Sequence, residues 1–289
     1  MDYKELGRTG FRLPEIGQGT WKYSGGADAL RAGIELGACF VDTAESYGTE
    51  GSVGEAVRGR RDRVFLATKV SPEHFRHADV LRAADNSLRR LNTDHIDLYQ
   101  LHRPNYTVPI EETMGALEEL VNAGKVRFIG VSNFSEGEIR KAQAALSKHR
   151  IVSNQVRYSV ADRTIETGLL SYCQEHDITV LAFSPLASGL QNLKARDPGR
   201  ALARVAAMAG KSEAQVALNW CIAKAGVVAI TKTNSIERVR ENCEASGWRL
   251  SADQARILDR GIRFRRRRPA VAMLRRLLTR VEQRLGRSL

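Results

Sequence analysis

Four residues that could carry out a proton transfer lie in three short segments of the first half of the chain. The run DTAESYG places the carboxylate of Asp42 five residues before the phenol of Tyr47, and Lys69 and His102 follow within ATKV and LYQLHRP. A tyrosine gives up its proton near neutral pH only if its pKa is depressed, and a nearby ammonium group has that effect. These residue types therefore predict a proton-transfer site at Tyr47.

Asp42, Lys69 and His102 each end an apolar segment with the length of a buried strand. Strand-like and helix-like segments alternate along the chain. The strand-like segments are 15–17, 39–41, 64–67, 96–99, 128–131, 152–155, 179–183 and 227–230. The helix-like segments are 27–36, 50–58, 78–91, 110–123, 135–147, 164–176, 200–224, read as two helices, and 235–246. Repeated strand-then-helix units indicate a parallel sheet.

Eight such units in about 250 residues match a closed (β/α)8 barrel, the TIM barrel, whose active sites lie at the C-terminal ends of the strands. The alternative is a doubly wound open sheet, which normally has a G-x-G-x-x-G turn after its first strand. The segment GQGTW, with Gly17 and Gly19, lacks the third glycine. Residues 6–13 have the turn residues of a short hairpin, which we expect to plug the bottom of the barrel.

The composition, with 43% hydrophobic and 27% charged residues among 289, is that of an ordinary globular protein. No apolar run reaches membrane-spanning length, and the N-terminus lacks a signal-peptide pattern. The four cysteines, Cys39, Cys173, Cys221 and Cys243, have neither metal-ligand nor disulfide-framework spacing. These features favour a cytoplasmic protein.

The net charge of +12 is concentrated at the C-terminus. Residues 261–289 contain ten arginines and one acid, Glu282, so this segment carries +9 and residues 1–260 carry only +3. We therefore expect a barrel domain over 1–260, with no nucleic-acid binding, and an arginine-rich extension over 261–289. The apolar residues of the extension recur at helical spacing, which predicts a basic amphipathic helix. It could pack on the barrel, contact anionic lipid, or bind RNA or an acidic partner protein.

The ordered motifs identify the chain as similar to the aldo-keto reductase superfamily over about residues 6–250. The matching segments are GTW at 19–21, DTAESYG at 42–48 with Glu50, ATK at 67–69, QLHRP at 100–104, GVSNF at 130–134, NQ at 154–155, FSPL at 183–186 and the segment 232–242. Each is weak evidence alone, whereas their order and spacing together are specific.

The resemblance implies reduction of a carbonyl by direct hydride transfer from a nicotinamide, without a metal. By that similarity Tyr47 is the general acid, Lys69 lowers its pKa, Asp42 holds Lys69, and His102 orients the carbonyl of the substrate. The substrate would be an aldehyde or ketone, and Trp21, Tyr23 and Phe75 could line an aromatic pocket. The alternative function is an NADP(H)-bound regulatory or redox-sensing protein with slow turnover.

The resemblance also implies the cofactor-binding residues and favours NADPH over NADH. Ser132, Asn133 and Gln155 would hold the carboxamide, and Phe183 would stack on the nicotinamide. Lys232 and Arg238 would contact the 2′-phosphate, although Thr231 stands where the family often has proline. The remaining cofactor-binding positions are Gly19, Thr20, Trp21, Ser184, Pro185, Leu186, Ser188, Thr233, Glu241 and Asn242.

Overall fold

The computed structural model describes residues 1–265, 277, 278 and 281. Within these residues eight parallel strands close into a barrel, in which each strand lies beside the next one in the chain. The barrel strands are β3 (Ile16–Gly19), β4 (Phe40–Asp42), β5 (Phe65–Val70), β6 (Ile96–Leu101), β7 (Val126–Ser132), β8 (Ile151–Arg157), β9 (Thr179–Phe183) and β10 (Val227–Thr231). The last strand pairs with the first, with Ala229 opposite Ile16. The prediction of a (β/α)8 barrel is therefore confirmed, and the open sheet is wrong.

The N-terminal hairpin is also confirmed. Strands β1 (Tyr3–Glu5) and β2 (Arg12–Pro14) pair antiparallel outside the barrel sheet. Leu6 and Leu13 are fully buried and belong to the same hydrophobic cluster as Phe40 of the barrel strands. The hairpin therefore adds apolar side chains to the interior of the barrel, as a plug does.

Helices follow the strands and cover the outside of the barrel. They are α1 (Gly26–Glu35), α2 (Glu50–Val57), α3 (His77–Leu91), α4 (Ile110–Asn122), α5 (Glu136–Ala144), α6 (Leu169–Glu175), α7 (Leu190–Lys194), α8 (Ala201–Ala209), α9 (Glu213–Ile222), α10 (Ile236–Cys243) and α11 (Ala252–Gly261). None of the helices in the described residues is long and apolar enough to cross a membrane.

One helical prediction differs from the structure, and two helices were not predicted. The segment 164–176 is not one helix, because a short 3-10 turn over Thr164–Thr167 is separated from α6 by Gly168, whose φ is +151°. The sequence analysis did not predict α7, which is too short to show helical periodicity. It also missed α11, although Ser251 and Gln254 form a capping box that is visible in the sequence.

The predicted amphipathic helix of the C-terminal extension lies outside the described residues, apart from Leu277, Leu278 and Val281, which are helical and about half exposed. Before that point the chain still contacts the barrel. The backbone N–H of Arg265 donates to Ala161, and the N–H of Arg163 donates to the carbonyl of Arg265. The lipid or acidic partner of the extension therefore stays a prediction.

Glycines in α2 provide a test of helix packing around the barrel. A Cβ at Gly54 would lie 2.5 Å from the carbonyl oxygen of Leu91, a backbone atom that cannot turn away, whereas a Cβ at Gly51 would meet nothing within 4 Å. We expect Gly54→Ala to lower the free energy of unfolding by about 1–3 kcal/mol. Gly51→Ala, the control, should be neutral or stabilising by up to about 1 kcal/mol. Chemical denaturation measures both, and equal stability of the two variants would contradict the packing.

Candidate active site

The ends of three adjacent strands place the predicted catalytic residues at one mouth of the barrel. Asp42 is the last residue of β4, Lys69 lies near the end of β5, and His102 directly follows β6. Tyr47 ends a short 3-10 turn that begins three residues after Asp42. Because the strands are parallel, these positions share the C-terminal face, where barrel active sites are found.

A buried ion pair forms the base of the site. Lys69 is fully buried, and its Nζ lies 2.6 Å from Oδ2 of Asp42 and donates to the carbonyl of Thr43 at 2.8 Å. The other carboxylate oxygen, Oδ1, accepts from Nε2 of Gln100 at 3.1 Å and from Nε2 of Gln155 at 2.8 Å. Both oxygens of the carboxylate are therefore hydrogen-bonded, which a buried charge requires.

Gln100 was not singled out as a site residue from the sequence. It lies two residues before His102 on β6, so both side chains point to the same side of the strand. It also pairs in register with Lys69 of β5. A polar residue two positions before a candidate catalytic residue, on the same strand-like segment, was the available signal.

Tyr47 and His102 lie against each other above this ion pair. The Nζ of Lys69 lies 4.9 Å from the centre of the Tyr47 ring, and the hydroxyl of Tyr47 is 3.3 Å from Nε2 of His102. The two rings meet edge to face, with centroids 5.4 Å apart. The structure thus brings together all four predicted catalytic residues, with the phenol next to an imidazole nitrogen and a buried ammonium.

The pKa of Tyr47 is raised, opposite to the net shift that the sequence predicts. Burial of the phenol is the largest effect and raises the pKa, the charge of Lys69 lowers it, and the charge of Asp42 raises it again. The ammonium therefore acts in the predicted direction, but burial outweighs it. Tyr47 stays protonated at neutral pH, which is the state that a proton donor needs.

His102 is held neutral. Burial lowers its pKa to about 3, and the charges of Lys69 and Arg103 act in the same direction. A neutral imidazole carries one N–H, so only one ring nitrogen can donate a hydrogen bond. His102 is therefore suited to donate a hydrogen bond to a substrate oxygen, rather than to act as an acid near neutral pH.

The residues predicted to hold a carboxamide lie beside the catalytic group. Asn133 is exposed at the mouth, and its Nδ2 donates to the carbonyl of His102 at 3.1 Å and to Oγ of Ser132 at 3.0 Å. Ser132 is buried and donates to the carbonyl of Gln155 at 2.9 Å. The amide nitrogen of Gln155 is already used on Asp42. Of the three side chains, that of Asn133 is the accessible one.

In the GTW segment, Gly19 and Thr20 have structural roles and the ring of Trp21 is exposed. A Cβ at Gly19 would lie 2.7 Å from Ile230, so glycine permits the close approach of β3 and β10. Thr20 is buried, donates to the carbonyl of Asp42 at 3.2 Å and accepts from Thr49 at 2.9 Å. Its side chain is therefore occupied within the protein, whereas Trp21 is 56% exposed.

The other two aromatic residues predicted to line a substrate pocket belong to the hydrophobic core. Tyr23 is 9% exposed, and its hydroxyl donates to the carbonyl of Gly26 at 2.7 Å. Phe75 is 1% exposed and packs in the main core cluster. The expectation that Trp21, Tyr23 and Phe75 together line an aromatic pocket is therefore wrong, because the rings of Tyr23 and Phe75 are buried in the core.

The loop after β9 contains the predicted stacking and diphosphate-binding residues. Phe183 is partly exposed at the strand end, and Pro185 is buried. Ser184 and Ser188 have positive φ angles of 53° and 64°, which non-glycine residues adopt rarely, and their hydroxyls are 3.3 Å apart. Backbone strain of this kind is often found where a loop is shaped for a ligand.

The predicted 2′-phosphate residues lie at the start of α10, after β10. Lys232 and Arg238 are exposed, and neither has a carboxylate within ion-pair distance among residues 1–265, 277, 278 and 281. Ser235 caps the helix by accepting from the N–H of Arg238 at 3.4 Å. Two uncompensated cations at a helix N-terminus form a surface that favours an anion. Of the other predicted residues here, Thr233 and Glu241 are partly exposed and Asn242 is buried.

A protein-family model described as "Aldo/keto reductase family" matches residues 15–262, which covers the barrel and the site. The chain belongs to the aldo/keto reductase family. The prediction of this family from the ordered motifs is confirmed, and with it the assignment to an oxidoreductase class.

Several proteins are similar to this chain over nearly their whole length. Methylglyoxal reductase YeaE of Escherichia coli is 39% identical, with 86% of this chain and 90% of that protein covered. A solved aldo-keto reductase of Klebsiella pneumoniae in complex with NADPH is 39% identical, with a TM-score of 0.85 and coverage of 92% and 98%. The thermostable aldo-keto reductase Tm1743, solved with the inhibitor epalrestat, is 40% identical, with a TM-score of 0.84 and coverage of 90% and 99%.

The low pKa of His102 predicts how its replacement changes acid stability. In the folded protein His102 stays neutral down to about pH 3, whereas in the unfolded chain it binds a proton below its ordinary value of 6.5. Because the unfolded state binds more protons, this residue destabilises the fold as the pH falls from 6.5 towards 3. Between pH 7 and pH 5 the wild type should therefore lose up to about 2 kcal/mol more of its free energy of unfolding than the His102→Gln variant does.

Urea denaturation at several pH values measures this difference, and His149→Gln, which replaces a histidine far from the mouth, is the control. A wild type and a His102→Gln variant with parallel stability profiles would show that His102 is protonated normally in the folded protein.

Proposed function

We propose that this chain reduces aldehydes or ketones to alcohols with NADPH, and that Tyr47 is the general acid. The observation that carries the proposal is the position of the Tyr47 hydroxyl, 3.3 Å from Nε2 of His102 and beside the buried ammonium of Lys69. The relationship to a methylglyoxal reductase and to a reductase solved with NADPH supports both the reaction and the cofactor.

The residues at the mouth suit a nicotinamide dinucleotide phosphate. Asn133, after β7, and Phe183, at the end of β9, offer an accessible amide and an accessible ring on the same face of the barrel, which fits a carboxamide on a flat heterocycle. Lys232 and Arg238 offer two cations without acidic partners in the described part of the chain, which fits a phosphate dianion. When bound, NADPH supplies the hydride.

Side chains of this protein carry out the proton transfer. His102, neutral and aimed at Tyr47, donates a hydrogen bond to the carbonyl oxygen and stabilises the negative charge that develops there. Tyr47 then gives its proton to the same oxygen as it becomes an alkoxide. Lys69 stabilises the phenolate that remains, and Asp42 keeps the ammonium in position. Because its pKa is raised, the phenol of Tyr47 is protonated before the reaction.

The substrate that we propose is a small aldehyde of the methylglyoxal type. The relative that is a methylglyoxal reductase supports this choice. Trp21 is exposed at the end of β3, whereas Tyr23 and Phe75 are in the core, so the mouth has little aromatic surface for a large ring. A cytoplasmic location stays a prediction.

Tyr47→Phe tests the acid role. The variant should lose about 10²–10⁴-fold in kcat, because the proton donor is gone, while NADPH binds as in the wild type. Steady-state consumption of NADPH with methylglyoxal gives kcat, and quenching of protein fluorescence gives Kd. Tyr3→Phe, which removes a hydroxyl in the hairpin, away from the mouth, should leave both unchanged. Unchanged turnover in Tyr47→Phe would eliminate the acid role.

Turnover well below about 1 per second in the wild type on every carbonyl compound would favour the regulatory alternative.

Lys232→Ala tests the choice of cofactor. Loss of one charge-assisted contact to the 2′-phosphate should weaken NADPH binding by about tenfold, and NADH, which lacks this phosphate, should bind as before. Lys148→Ala, which removes an exposed lysine at the opposite end of the barrel, is the charge control. The assignment of the 2′-phosphate site to Lys232 fails if the two cofactors weaken equally or if neither changes.

A further inference from the structure

A cavity of about 620 Å³ opens on the catalytic face between the end of β8, the loop after β9 and the segment that leaves α11. Three of its lining residues are arginines from these three segments, Arg157, Arg196 and Arg265. None of these three arginines is among the site residues that the sequence predicts. The polar residues Ser159, Ser188 and Asn192 line the cavity beside them.

Arg157 is fixed in direction by two neighbours that already belong to the candidate site. Its NH1 donates to Oγ of Ser188 at 3.1 Å, and its guanidinium lies 5.2 Å from the centre of the Phe183 ring. Arg157 and Phe183 are also register partners on β8 and β9. A guanidinium stacked on a ring and hydrogen-bonded at one nitrogen keeps its other N–H groups available for an anion.

The negative charges near the cavity are used elsewhere. Asp162 lines the cavity, and its Oδ1 accepts from the N–H and the hydroxyl of Thr164, at 3.3 and 2.7 Å. Asp197, next to Arg196 in the chain, accepts from the first N–H groups of α8, those of Ala201 and Leu202, at 2.7 Å each. In the described part of the chain no carboxylate forms an ion pair with the three arginines, and three cations against one acid leave the cavity positive.

We propose that Arg157, with Arg196 and Arg265 around it, forms an anion subsite for a phosphate or carboxylate group of a reactant. The inference rests on the proposed function, because it assumes that a cofactor and a carbonyl compound meet at this mouth. Two sources carry this chemistry. The first is the diphosphate of the dinucleotide, since Ser188 belongs to the loop assigned to that group. The second is an anionic substituent on the carbonyl substrate.

The experiment compares the wild type with Arg157→Ala, with Arg204→Ala as the control. Arg204 is an exposed arginine on α8 outside the cavity, so its removal changes the net charge equally. For each protein, fluorescence titration gives the Kd of NADPH and of NADH. Steady-state kinetics give kcat/KM for butanal and for 4-oxobutanoate, two four-carbon aldehydes of which only the second is charged. Thermal unfolding verifies that the variants are folded.

If the diphosphate is the ligand, Arg157→Ala weakens NADPH and NADH by the same factor, about tenfold, because both cofactors contain it. This equality separates the subsite from Lys232, whose loss affects NADPH alone. If the substrate is the source, both Kd values stay constant, and kcat/KM falls about tenfold for 4-oxobutanoate but not for butanal. Either loss should shrink in high salt and be partly restored in Arg157→Lys.

A folded Arg157→Ala variant with wild-type Kd values and an unchanged preference between the aldehydes would overturn the subsite while leaving the proposed function intact. A wild type that neither binds NADPH nor reduces either aldehyde would instead refute the proposed function itself. A loss of equal size in Arg204→Ala would reduce the effect to overall charge and would also overturn the subsite.

Discussion

The buried pair of Lys69 and Asp42 is the interaction on which the rest of the site depends. Two charges out of water are tolerated only with nearly complete hydrogen bonding, and removal of one partner from such a pair typically costs about 3–5 kcal/mol. Here the partners come from several strands: Asp42 from β4, Lys69 from β5, Gln100 from β6 and Gln155 from β8. The hydrogen bonds to this pair therefore form together only in the closed barrel. The geometry of the candidate site depends on the same strand arrangement as the fold.

The ammonium of Lys69 lowers the pKa of both groups above it. For Tyr47 it favours the phenolate and so limits a rise in pKa that burial would otherwise make larger. For His102 it disfavours the protonated ring and adds to the effect of burial. Burial thus keeps the phenol protonated while the ammonium makes the release of its proton easier, and both effects keep the imidazole neutral. This combination suits donation of one proton and one hydrogen bond to a single oxygen.

The sequence was sufficient to predict the architecture and which four polar side chains meet at the mouth, because both are expressed in local patterns. Apolar segments in regular alternation predict the barrel, and a polar residue at the end of each strand predicts which side chains meet. Features that depend on three-dimensional burial were not accessible. The net pKa shift of Tyr47 had the wrong sign because the depth of the phenol is not visible in the sequence. The sequence analysis placed Tyr23 and Phe75 at the mouth. An aromatic residue near a strand end gives the same sequence pattern whether its ring faces the pocket or the core.

The distribution of charge on residues 1–265 is more informative than its sum. Near the bottom of the barrel, Asp97 is contacted by both Arg61 and Arg127, at 2.8 and 3.0 Å, so these cations serve the fold. At the mouth, Lys232 and Arg157 have no such acid among the described residues. An unpaired cation adds little to the stability of a domain, whereas it lowers the free energy of any bound anion. The cations without an acidic partner at the mouth therefore suit this face to reactants that carry phosphate or carboxylate charge.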